Sequence, residues 1–207
     1  MTIDKPMPAL RTQSQTQSRR PKQPRPLVAA AVVLAVSALG LLAACASLTG
    51  SKSGNAQVPQ PAGPVDLDRY IGRWYEFARY ENRFEKGCER VTAEYAKRSD
   101  GLITVTNRCH GGGVNGPVRV SEGRAKIVPG SANAKLKVSF FGPLYLGNYW
   151  VLDHADDYSW AIVGEPSGRY LWILTRAEQP DPTLRAELIS RVAELGYDTS
   201  MLRQTQH

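Results

Sequence analysis

Ala134-Lys135-Leu136-Lys137-Val138-Ser139-Phe140 reads as a strand with two unlike faces. Successive side chains of a strand point to opposite sides, so Ala134, Leu136, Val138 and Phe140 share one face and Lys135, Lys137 and Ser139 the other. One apolar face and one wet face mark an antiparallel sheet that covers a core on a single side. The alternation recurs outward from this stretch. Ile103 and Val105 oppose Thr104 and Thr106, which puts Asn107 on the apolar face, and Val91, Ala93 and Tyr95 oppose Thr92 and Glu94. Eight β-rich segments are expected: 74–80, 91–97, 102–109, 118–128, 134–140, 149–153, 158–164 and 170–175. Turn signals separate them, among them Ser99-Asp100-Gly101, Gly111-Gly112-Gly113, Pro129-Gly130, Gly142-Pro143 and Pro166-Ser167-Gly168. Eight short strands with turn spacers predict an antiparallel barrel or sandwich, and alternation alone fits both. One helix follows. Asp181 suits its N-cap and Pro182 its first position. Leu184, Leu188, Ile189, Val192 and Leu195 make an apolar stripe, and Gly196 suits the stop.

The beginning of the chain has a different character. Lys5, Arg11, Arg19, Arg20, Lys22 and Arg25 face a single acid, Asp4, before an apolar run from Leu27 to Ala44. A basic segment, an apolar segment and small residues at its end make a secretory signal. Leu42-Ala43-Ala44-Cys45 resembles the lipobox of bacterial lipoproteins. That resemblance implies cleavage before Cys45 and lipidation of this cysteine, with Ala46 favouring sorting to the outer membrane. Residues 1–44 are thus read as a removed signal peptide and 45–65 as the lipidated cysteine with a flexible tether rich in Ser, Gly, Pro, Gln and Asn. The globular domain is expected over 66–207. The formal charge of +7 shrinks accordingly. Of 26 basic and 19 acidic residues, six and one precede Cys45, which leaves 20 against 18. The mature chain is nearly neutral, and the case for nucleic acid as a partner goes with the signal.

Three ordered motifs then carry a family resemblance. Tyr70-Ile71-Gly72-Arg73-Trp74-Tyr75-Glu76 resembles the first lipocalin motif. Leu152-Asp153 through Tyr158 resembles a variant of the second, without its usual Thr-Asp-Tyr. Trp172-Ile173-Leu174-Thr175-Arg176 resembles the third. Arg83-Phe84-Glu85-Lys86-Gly87, the run from Leu136 to Pro143, and Tyr170–Leu174 are similar to the apolipoprotein D-like bacterial lipocalins of the outer membrane. The resemblance spans about Asp66 to Leu202. It implies an all-β fold: an eight-stranded antiparallel up-and-down barrel with one C-terminal α-helix packed outside. It also implies structural roles for Gly72, Trp74 and Arg176, with the tryptophan plugging the closed end and the arginine across its ring.

With Cys45 assigned, Cys88 and Cys109 remain. In an oxidising compartment a disulfide is the expectation. The alternative is a reactive thiol, for which His110, on the opposite strand face, is a poor base. Gly111-Gly112-Gly113 lacks the Lys-Ser/Thr and the helix of a phosphate loop. Asp153, His154, Asp156 and Asp157 crowd one polar loop without metal-ligand spacing, and read as a solvated turn. No catalytic triad or carboxylate pair stands out, and no cofactor or metal is expected. Candidate ligand-binding residues inside the barrel are Tyr95, Asn107, Val138, Phe140, Trp150, Leu152 and Trp172. Both faces of the last strands are apolar, so the inward placing of Trp150 and Trp172 follows from the resemblance. Tyr95 and Asn107 would orient a headgroup while Phe140, Trp150 and Trp172 line an acyl tail. The resemblance implies a membrane-anchored carrier of fatty acids or lysophospholipids, on the periplasmic face of the outer membrane, that stores or transports lipid in envelope maintenance or stress. A homodimer is one assembly it admits. Two other readings are a barrel enzyme acting on a lipid or isoprenoid and a ligand-free envelope interaction protein.

Overall fold

The computed structural model describes residues 53–207. The expected signal segment and Cys45 lie outside the described residues. Among those described, no helix is long and apolar enough to cross a membrane.

The elements run α1 (Leu67–Tyr70), β1 (Gly72–Tyr80), β2 (Cys88–Lys97), β3 (Ile103–Gly111), β4 (Val118–Ile127), β5 (Lys135–Ser139), β6 (Gly147–His154), β7 (Trp160–Gly164), β8 (Leu171–Thr175), α2 (Pro182–Glu194) and β9 (Leu202–Gln204). Each of β2 to β8 pairs antiparallel with its neighbour in sequence, β8 pairs with β1, and β1 returns to β2, so the sheet closes into a barrel. The closure between β1 and β2 is shared. Gly72–Tyr75 pairs with Tyr95–Thr92. Beyond a bulge at Glu76–Ala78 the upper part of β1 pairs instead with β9. The tail continues to β2, where the Arg90 amide donates to the Gln206 carbonyl at 2.7 Å.

Alternation sorts the apolar residues into two cores. Trp74, Ala93, Tyr95, Val105, Ala125, Leu136, Val151, Val163 and Leu174 belong to the interior cluster. Phe77, Leu152, Trp160, Ile162, Leu171 and Ile173 point outward and pack with Leu188 and Val192 of α2. All five residues of β7 are buried, because the helix covers the face that elsewhere meets water. Burying side chains of this size stabilises by roughly 1.5–3 kcal/mol each. The helix is capped as its sequence predicts: the Asp181 carboxylate accepts from the Leu184 amide at 3.0 Å, behind Pro182. Most strand ends shift by one to three residues from expectation, and two of the shifts bear on the site. The seventh strand starts at Trp160 rather than Tyr158, because Tyr158 takes φ 62° in a turn closed onto Ala155. Phe140 falls just past the end of β5.

At one end, Trp74 is fully buried and its Nε1 donates to the Tyr70 carbonyl at 2.8 Å. The Arg176 guanidinium lies 3.7 Å from its ring centroid and donates to the carbonyls of Arg69, Tyr70, Ile71 and Arg73. The cation thus caps the end of α1 and the tryptophan together. Gly72 makes the turn from α1 into β1 at φ 96°, a conformation side chains disfavour. This is the closed end. At the other, Cys88 and Cys109 form a disulfide between β2 and β3.

The stretch expected as a flexible tether is, from Ser53 onward, laid along the barrel wall. The Gly54 amide donates to the Gly168 carbonyl, Asn55 Nδ2 to the Leu195 carbonyl, the Ala62 amide to the Leu152 carbonyl and the Val65 amide to the Ala132 carbonyl, all within 2.8–3.0 Å. Its polar, Pro-rich composition gave no sign of this, since the bonds are made mainly by backbone.

Candidate functional site: the barrel lumen

The floor of the lumen is a tyrosine cluster above Trp74. Tyr95 Oη donates to Tyr149 Oη at 2.9 Å, and Tyr70 Oη lies 2.7 Å from the same hydroxyl. Burial pushes all three phenols above their ordinary pKa, so they stay protonated. The wall above is apolar, with Val105, Val138, Val163 and the ring of Phe140. Gly123 faces Phe140: a Cβ there would come within 2.7 Å of its ring, so the glycine makes room for the aromatic. Tyr149 is enclosed by the wall yet keeps accessible surface, as do Asn107, Val138, Phe140 and Trp172. Surface kept on inward-pointing residues is surface that faces the lumen.

Nearer the mouth the lumen turns polar. Opposite Leu174 and Trp172, the register of β1 aims Glu76 and Arg79 inward. Arg79 Nη1 donates to Glu76 Oε1 at 2.7 Å and to Thr205 Oγ1 at 3.2 Å. Its Nη2 reaches Glu81 and the carbonyls of Glu85 and Cys88. Both members of the pair are almost wholly buried, and the Thr205 hydroxyl donates to the same Glu76 oxygen. Burial and the Glu85 charge push the Glu76 carboxyl upward, against the pull of Arg79. Trp172 Nε1 donates to Glu85 Oε2 at 2.8 Å, which ties the loop 81–87 across the mouth.

Five of the seven residues expected to line the cavity, Tyr95, Asn107, Val138, Phe140 and Trp172, lie on the lumen side. Trp150 and Leu152 do not. Both pack with the outer cluster beneath α2, and Leu152 is fully buried there. The reason is register: Trp150 pairs with Lys135, whose side chain faces out, and the Lys135 ammonium sits 3.9 Å from the Trp150 ring centroid. Tyr149 and Val151 take the inward positions instead. Sequence reasoning also passed over Glu76, Arg79, Tyr70 and Glu85. Two charges in the otherwise apolar stretch from Trp74 to Tyr80 were the available signal. In the loop read as a solvated turn, His154 stacks on Tyr158 and its ring nitrogens face the Ala155 and Pro64 carbonyls. Among the described residues no cluster of potential metal ligands occurs.

Residues 65–207 match the Lipocalin-like domain. The chain belongs to that family. This lipocalin is 39% identical over 163 residues to the outer membrane lipoprotein Blc of Vibrio cholerae, an alignment covering 78% of this chain and 94% of that protein. It is 39% identical over 178 residues to the Blc of Escherichia coli K12, covering 84% and 92%. In fold it is similar to insecticyanin of the tobacco hornworm Manduca sexta, with a TM-score of 0.57 at 22% identity, over 73% of this chain and 84% of that one.

Proposed function

We propose that this lipocalin carries a single-chain lipid, a fatty acid or lysophospholipid, with its acyl chain in the lumen. It is held at the outer membrane through a lipid on Cys45, where it stores or transports lipid for envelope maintenance or under stress. The observation that carries the reading is the lumen itself. Its inward face is apolar and keeps accessible surface on Val138, Phe140, Tyr149 and Trp172, above the buried Trp74 and below the charged groups of the mouth. An acyl chain entering it leaves water, a gain of about 25 cal/mol per Å² of apolar area buried, offset by the cost of ordering the ligand. The headgroup then stays near Asn107 and the charged groups of the mouth. Reversible burial needs no covalent step, so the protein is read as a carrier and not as an enzyme. The relatives named outer membrane lipoprotein Blc support the location.

The test is titration of the delipidated protein with fatty acids and lysophospholipids of increasing chain length, followed by tryptophan fluorescence and native mass. Saturable one-to-one binding is expected, with the emission change lost in Trp172→Phe and kept in Trp150→Phe. Absence of saturable binding at every chain length would refute the reading.

A further inference from the structure

The loops of this barrel differ sharply between its two ends. At the mouth, the turns 81–87 and 140–146 expose Phe84, Phe141, Leu144 and Leu146; Phe141 is 89% exposed and Leu146 78%. Four large apolar side chains exposed on the loops of one rim are uncommon on a protein that meets only water. Cations accompany them: Arg83, Lys86 and Arg169 are exposed on the rim loops. The carboxylates of Glu81, Glu85 and Glu165 are already partnered. Glu85 accepts from Asn82 and Trp172, Glu165 accepts from Ser167 and Arg169, and Glu81 pairs with Arg79 and Arg203. At the closed end the exposed cations Lys97 and Arg98 are paired with Asp68 and Asp100, Asp66, Asp156 and Asp157 are exposed beside them, and no large apolar side chain is among the strongly exposed ones.

The described chain begins at this same rim. Ser53 Oγ donates to the Ser167 carbonyl in the turn between β7 and β8, and Gly54 abuts the Tyr80 ring at the top of β1. Seven residues separate Cys45 from Ser53, a reach of about 28 Å even at full extension. A lipid on Cys45 is therefore joined to the rim by a short segment.

We propose that the mouth is a membrane-docking surface: the loop tips at Phe84, Phe141, Leu144 and Leu146 enter the headgroup region of an anionic phospholipid bilayer, and the rim cations meet its phosphates. Apolar tips flanked by cations are the pattern by which a peripheral surface lies in a membrane interface. The lumen then opens onto the bilayer, so a lipid passes between the two without crossing water. This rests on the anchored-carrier reading above and adds its orientation.

The full chain carrying Cys45→Ser, which leaves the introduced thiol as the reactive one beside the Cys88–Cys109 disulfide, is labelled with an environment-sensitive dye at Leu144→Cys or, at the closed end, at Ser99→Cys. Vesicles of phosphatidylethanolamine and phosphatidylglycerol are then added. The dye at 144 is expected to shift to the blue and gain at least about threefold in intensity, with the dye at 99 unchanged. The gain falls when phosphatidylcholine replaces the anionic lipid or when salt is raised. No gain at 144, or equal gains at both ends, overturns the proposal. In a second arm, the full chain carrying Cys45→Ser is floated with the same vesicles. Phe141→Ser with Leu146→Ser on exposed loop positions should weaken flotation at least tenfold while leaving fatty-acid titration unaltered; unchanged flotation overturns docking. Fatty-acid titration reads the lumen and the mass of the N-terminal peptide reads the anchor, so either can fail without imitating a failure of docking.

Discussion

Replacing Arg79 by methionine is the most direct test of how the lumen wall is held. The substitution keeps the unbranched stem of the side chain and removes five donated hydrogen bonds: to Glu76, Thr205, Glu81 and the carbonyls of Glu85 and Cys88. Glu76, 1% exposed, keeps only the Thr205 hydroxyl as a side-chain donor. A carboxylate stranded in this way costs about 3–5 kcal/mol. Protonation limits the loss. Burial and Glu85 already push the Glu76 carboxyl upward, and without Arg79 it moves further. A group whose folded pKa is raised contributes stability fully below its unfolded pKa and loses that contribution as pH rises through the folded value. The deficit of the variant relative to the parent should therefore be small near pH 5 and largest near pH 9. Glu76→Gln with Arg79→Met removes both charges and should recover at least about 2 kcal/mol of the single-variant loss at pH 9, since replacing a buried pair costs less than breaking it. Guanidinium unfolding with the disulfide intact, followed by tryptophan emission across this pH range, measures all three. A loss below about 1 kcal/mol at pH 9, or one equal at pH 5 and pH 9, would refute the argument.

Three further outcomes follow from the geometry. Arg176→Met removes the cation from Trp74 and the fork from four carbonyls, and should cost about 2–4 kcal/mol in thermal unfolding; Arg176→Lys should recover less than half of it, since an ammonium cannot span the same acceptors. Tyr149→Phe deprives both Tyr70 and Tyr95 of a hydroxyl partner and should cost about 1–3 kcal/mol, more than Tyr70→Phe, in urea unfolding. Replacing Cys88 and Cys109 together by alanine frees a link of 21 residues and should cost about 3 kcal/mol in the chain-entropy picture; the same loss should appear when the parent protein is melted under reductant.

Strands facing water on one side were the most legible part of the fold. Thr104, Thr106, Lys135 and Lys137 marked their outer faces, so the inward residues could be read by parity. Legibility failed where the outer face is itself buried. From Tyr149 to Leu152 every residue is apolar, because α2 and the chain around Ala62 cover that side of β6. No polar residue remained to mark the parity, and the inward set was displaced by one position. The choice of a barrel over a sandwich came from the family motifs, since closure depends on β8 meeting β1 across most of the domain's length. Glu76 and Arg79 were illegible for a different reason. A charged pair looks solvated until a bulge and the C-terminal strand enclose it, and both features are set by tertiary packing.

The outer core has a mechanical consequence. On one flank, β7, β8 and the upper part of β1 are clamped by α2 and β9, and all of β7 is buried. On the other, β4 has Ala125 as its one buried residue among ten, and none of the described elements is laid over it. The barrel is therefore a vessel with one stiff side and one yielding side. Backbone amides of β4 and β5 should exchange with solvent earlier than those of β7 and β8. An acyl chain thicker than the resting shaft would be admitted by outward bowing of the bare flank. Chain-length tolerance would then be set by the flexibility of β4 and β5, and hardly at all by the residues that touch the ligand from β8.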